Sequence, residues 1–91
     1  MNFDGAIAYL DGEIQAEGTR SECGQVLVAT RATIAQRDAS LLNFEWAESV
    51  GSDIYRATSD GLMGYGDTDY ADDIQSTLCD ILGIAYECEF E

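Results

Sequence analysis

Carboxylates are the side chains through which this sequence can do chemistry, and their spacing sets them in rows. Asp69, Asp72, Asp73 and Asp80 recur at helical intervals just after Asp67, and Glu87, Glu89 and Glu91 alternate with other residues near the C-terminal end. Neighbours three or four apart on a helix lie about 6 Å from one another, and residues two apart on a strand about 6.6–6.8 Å. Successive phosphates along a nucleic-acid backbone are separated by roughly 6–7 Å. Carboxylates arranged in this way can therefore engage the arginines and lysines that a nucleic-acid-binding protein directs at phosphate. The whole composition leans the same way. Eighteen Asp and Glu stand against four arginines, with no lysine and no histidine, for a formal charge of −14. Such a chain carries a negative field that attracts basic surfaces and repels nucleic acid and anionic membrane.

Other chemistries are poorly supplied. Without histidine there is no imidazole base, no serine triad and no ordinary zinc site. Cys23, close to Arg20 at the start of an expected helix, has the setting of a low-pKa nucleophile. Its place on an apolar stripe with Leu27 and Thr30 reads instead as a core thiol. Asp67-Thr68-Asp69 opens like a calcium loop, but Ala71, Asp72 and Leu78 stand where such a loop needs a ligand, a glycine and a glutamate. The loop holding Gly61, Gly64 and Gly66 has no following lysine to cradle phosphate. The expectation is a protein that is not an enzyme and has no metal or cofactor.

The charge is spread among apolar residues that make up 46% of the chain, which predicts one globular domain over residues 1–91, not an acidic disordered tail. No apolar run approaches the ~20 residues of a membrane span, and no basic leader opens the chain. Cys23, Cys79 and Cys88 show no CxxC spacing and suit reduced thiols in a cytosol.

The elements expected to position the acids begin with Asp11-Gly12. Set between residues 6–10 and 13–17, it predicts a two-residue type I′ hairpin. In that register Phe3, Ile7, Tyr9, Ile14 and Ala16 face the core, and Asp4, Ala8, Leu10, Glu13, Gln15 and Glu17 face solvent. A capping box from Thr19 to Glu22 then opens a helix through Cys23, Val26, Leu27, Thr30 and Ile34 to Arg37. Alternating residues in that stretch also fit a strand; the cap and Ala29, Ala32 and Ala35 favour helix. Leu42, Phe44 and Trp46 predict a strand paired with residues 54–58. Thr68 or Asp69 caps a second helix striped by Tyr70, Ile74, Leu78, Ile81 and Leu82, with Gly83 as its C-terminal stop. Residues 84–91 alternate as a last strand. The order is ββ-α-ββ-α-β, an α+β domain with an antiparallel sheet and two helices.

In size, acidity and lack of catalytic signatures the chain resembles the small phage-encoded inhibitors of bacterial defence, the anti-CRISPR and anti-restriction proteins that imitate nucleic acid. The likeness is compositional and spans the whole chain; no motif carries it. It implies a non-enzymatic binder of the basic nucleic-acid channel of a CRISPR effector or restriction enzyme, acting in the cytoplasm of an infected cell. The expected contacts are Asp67, Asp69, Asp72, Asp73, Asp80, Glu87, Glu89 and Glu91, with Tyr65 as an exposed anchor. Glu13 and Glu17 form a second patch, and Arg31 and Arg37 mark the least negative side. Two other readings of the same acidity are adaptation of a small structural or regulatory protein to a high-salt cytosol, and an acidic interaction or calcium-binding module.

Overall fold

A computed structural model describes residues 1–59 and 64–85. Helix α1 spans Phe3–Glu17, opened by Asn2, whose side-chain oxygen accepts the Gly5 N–H at 2.9 Å. Asp11 and Gly12 lie within this helix and make no turn. A central glycine costs a helix about 1 kcal/mol relative to alanine. Burial of Ala6 and Leu10, both fully enclosed, with Phe3, Ile7 and Ile14 packed beside them, outweighs that cost. Leu10, on the solvent face in the hairpin register, is a core residue.

Helix α1 stops at Gly18, whose positive φ of 81° suits glycine and whose N–H reaches the Ile14 carbonyl at 2.8 Å. Helix α2, Glu22–Ala35, is capped by Ser21, not Thr19: the Ser21 hydroxyl accepts the Gly24 N–H at 2.9 Å. The two helix ends nearly touch here. A Cβ on Gly24 would sit 1.8 Å from the Gly18 carbonyl oxygen, so only glycine permits the approach. A short 3₁₀ turn at Ala39–Leu41 leads to helix α3, Phe44–Ala57, started by Asn43, which accepts the Trp46 N–H. This helix replaces the second expected strand pair. The alternation of Leu42, Phe44 and Trp46 does not continue, because Ala47, Val50, Gly51 and Ile54 turn inward at helical spacing. Helix α4, Thr68–Leu82, starts at Asp67, one residue before the expected cap. Gly83 ends it in the left-handed region, and the Ile84 N–H returns to the Cys79 carbonyl at 2.9 Å.

No strand occurs among the described residues, so the α+β sheet is corrected to an all-helical fold. Of the expected last strand, Ile84 and Ala85 are non-helical and unpaired in any sheet, and residues 86–91 lie outside the described residues. The helices close a ring: α1 packs on α2, α2 on α3, α3 on α4, and α4 back on α1. Cross-contacts show each neighbour running antiparallel. Between α2 and α3, Glu22 shares a groove with Ala57 and Thr33 one with Trp46. Between α3 and the start of α4, Gly51 meets Gln75 while Tyr55 meets Gly66. Asp4 meets Arg37 while Asp11 meets Arg31, and Glu13 meets Tyr70 while Tyr9 meets Thr77. The result is an up-down-up-down arrangement around Leu10, Leu27, Ile34, Leu42, Ile54, Ile74, Leu78 and Leu82. Thr30, the one buried polar residue among those described, donates its hydroxyl to the Val26 carbonyl at 2.8 Å.

Candidate acidic interaction face

Helix α4 buries Ala71, Ile74, Leu78, Cys79 and Leu82. At 3.6 residues per turn its opposite side carries Asp69, Asp73 and Asp80, with Asp72 on the flank toward α3. All four are exposed, and none is ion-paired with a described residue. No basic residue occurs anywhere in α4. Asp73 leans toward α1, where its charge and that of Glu13 both reach the Tyr9 phenol. The Tyr70 hydroxyl donates to Glu13 Oε2 at 3.1 Å across the same seam, with Glu17 one turn further along α1. Glu13 and Glu17, expected as a separate patch, therefore border the α4 stripe as one surface. On the other flank, α3 adds the exposed Glu48. Glu48 was missed because residues 42–58 read as two strands and a turn; its helical spacing to Glu45, Ser52 and Tyr55 was the available signal.

The remaining described acids have local explanations. Asp4, Asp11 and Asp53 pair with Arg37, Arg31 and Arg56. Glu22 and Glu45 sit in first turns, where the helix dipole favours a negative charge. Asp38 caps the 3₁₀ turn, and hydrogen bonds from the Ser40 hydroxyl and N–H hold its carboxyl below the usual range. Asp67 caps α4. Asp69, in the first turn of α4, is placed as Glu22 and Glu45 are, but two acids of the α4 face are placed differently. Glu17 is the last residue of α1 and Asp80 lies in the last turn of α4, where the dipole opposes a carboxylate by about 0.3–1 kcal/mol each. Local helix stability does not account for them.

Tyr65 is 69% exposed, just before Asp67. Its approach to α4 is held firmly. Gly66 lies so close to Tyr55 that a Cβ would fall 2.1 Å from the Tyr55 carbonyl oxygen, and the Asp67 N–H donates to Thr58 Oγ1 at 2.8 Å. Glu87, Glu89 and Glu91 lie outside the described residues. Arg31 and Arg37 project to the α1–α2 seam, away from α4.

Cys23 is buried, and burial first, then the Glu17 charge, push its thiol up, the opposite of an activated nucleophile. Burial also raises Cys79, Tyr9 and Tyr70, with Glu13 adding to the effect at both tyrosines. Among the described residues no group of three or more His, Cys, Asp or Glu is placed to hold a metal. No described helix is long and apolar enough to cross a membrane.

These raised values predict an alkaline limit to the fold. Each group keeps its proton longer when folded, so its contribution is complete below the unfolded pKa and is lost as pH rises through the folded one. Stability measured by urea titration should begin to fall above about pH 8.5, where unfolded thiols ionise, and more steeply above about pH 10, where unfolded phenols do. Tyr70→Phe should flatten the steeper part. A profile unchanged by that substitution would contradict the assignment.

Comparison with protein-family models, with curated proteins and with solved structures finds no match for this chain.

Proposed function

We propose that the chain is a non-enzymatic inhibitor whose α4 face occupies the basic nucleic-acid-binding surface of a CRISPR effector or restriction enzyme. One observation supports the reading above the rest. Asp69, Asp72, Asp73 and Asp80 form an outward surface with Glu13, Glu17 and Glu48, none of them ion-paired with a described residue, while Arg31, Arg37 and Arg56 pair with Asp11, Asp4 and Asp53. Asp69 to Asp73 is about 6 Å along the helix axis and Asp73 to Asp80 about 10 Å. These are separations that lysines and arginines lining a phosphate channel can span. Long-range steering toward a positive groove and many modest charge pairs at its rim supply the affinity.

The test is displacement. Labelled duplex DNA or guide RNA is bound to each of a set of purified effectors and restriction enzymes, and the chain is titrated in. Release should occur at low salt and fade steeply toward about half-molar salt as the charges are screened. Displacement that persists at high salt, or inhibition without displacement, contradicts the reading. High-salt adaptation makes a different forecast: the chain alone would melt in dilute buffer and fold only in molar salt.

The misplaced carboxylates yield a second forecast. Glu17→Lys and Asp80→Lys put favourable charge at helix C-termini and relieve repulsion, so each should stabilise the fold by about 0.5–1 kcal/mol. Each should also weaken nucleic-acid displacement. Substitutions that raise the melting temperature without cost to displacement would leave these acids without a role at the interface.

A further inference from the structure

Between α3 and α4, next to the acidic stripe, runs an open groove of about 440 Å³. We propose that it receives an arginine side chain of the partner, so that the face selects guanidinium groups over ammonium groups. The inference rests on the decoy reading for the nature of its partner and adds a specificity to it.

The floor of the groove is built from small residues. Gly51 and Ala71 are buried beneath it, and the Gln75 carboxamide lies over Gly51, where a Cβ would come within 2.5 Å of Gln75 Oε1. Glu48 and Asp72 bring one carboxylate from each wall, and Tyr55, 36% exposed, brings an aromatic ring. Arg56 also borders the groove, but its guanidinium is paired with Asp53, leaving Glu48 and Asp72 without a cationic partner among the described residues. The ring is backed by the connection to α4. Gly66 packs on Tyr55, with its would-be Cβ 2.8 Å from Tyr55 Cδ2, and the Thr58 hydroxyl donates to the Tyr55 carbonyl at 3.0 Å.

A planar guanidinium uses all of these at once. It can lie on a phenol ring, donate to carboxylates on both sides through its fork, and still meet a carboxamide oxygen. An ammonium group is a compact, strongly hydrated point charge that draws on the carboxylates and gains little from the ring. Net charge alone makes no such distinction. Positioned beside the α4 stripe, the groove turns a general attraction for cations into a preference for one kind.

The experiment compares arginine and lysine homopeptides of equal length, binding to the full chain at low salt by fluorescence anisotropy. The wild-type chain should bind the arginine peptide about three- to fivefold more tightly, as an exposed cation–π contact supports. Tyr55→Leu should bring the ratio close to one. Asp72→Asn, at an exposed position with no packing role, should lower it as well, which keeps the test intact if Tyr55→Leu misfolds. Asp80→Asn should weaken both peptides equally and keep the ratio. Equal binding of the two peptides to the wild type, or a ratio that survives Tyr55→Leu and Asp72→Asn, overturns the groove assignment while leaving the acidic face standing. Failure of both peptides to bind overturns the assignment together with the decoy reading.

Discussion

Asp69→Asn, Asp72→Asn and Asp73→Asn, made together, should weaken displacement of nucleic acid from the partner by roughly 10–50-fold, the yield of three rim pairs at about 0.5–0.8 kcal/mol each. The three side chains are exposed and keep their size, so the helix survives the change. Its melting temperature should move little, because lost dipole support at Asp69 is offset by relief of repulsion at the other two. The comparison variant neutralises Asp4, Asp11 and Asp53. It removes the same formal charge, but from carboxylates already paired with arginines on other seams. Displacement by that variant should stay close to the wild type. If the two triple variants lose affinity equally, net charge alone governs binding, and the arrangement of acids on α4 is irrelevant.

Leu10→Ala should destabilise the fold by about 2–5 kcal/mol, measured as a shift in the urea midpoint at unchanged m-value. Leu10 is fully enclosed and belongs to the core shared by the four helices. Removing its branched end opens a void that rigid helix backbones do not refill. An effect of this size takes a large share of the stability of a domain this small. The same substitution distinguishes the two readings of residues 3–17. In the hairpin register Leu10 faces water, and its truncation would cost a few tenths of a kcal/mol at most.

Residues 3–17 show why part of the fold could not be read from local pattern. Asp-Gly between two short apolar runs is a strong hairpin signal, and Phe3, Ile7, Tyr9 and Ile14 are shared by both readings. The deciding residues, Ala6 and Leu10, acquire their burial from packing of α1 against α2 and α4, which lie outside the segment. Residues 42–58 posed a similar problem. Phe44 and Trp46 alternate like a strand, yet both end up half-buried at the rim of α3 while smaller residues fill its inner face. Helix α4 was legible because its stripe of Ile74, Leu78 and Leu82, its acidic first turn and Gly83 all agree. Helix α2 was legible as a helix, although its cap is Ser21. The exposure of the α4 aspartates followed from their spacing once the helix was assigned. Their union with Glu13, Glu17 and Glu48 did not, since it depends on α1 and α3 being helices that flank α4.

The seam between α1 and α4 joins the first described helix to the last, and carboxylates line it. Tyr70 and Tyr9 reach across it, Tyr70 to the Glu13 carboxylate, and Glu17 and Asp73 lie along it. On the proposed function, a cationic surface docking there would bring counter-charge to these acids, and docking should then tighten the seam. Amide hydrogens of α1 and α4 should exchange more slowly in the complex than those of α2, even though only one side of the molecule is touched.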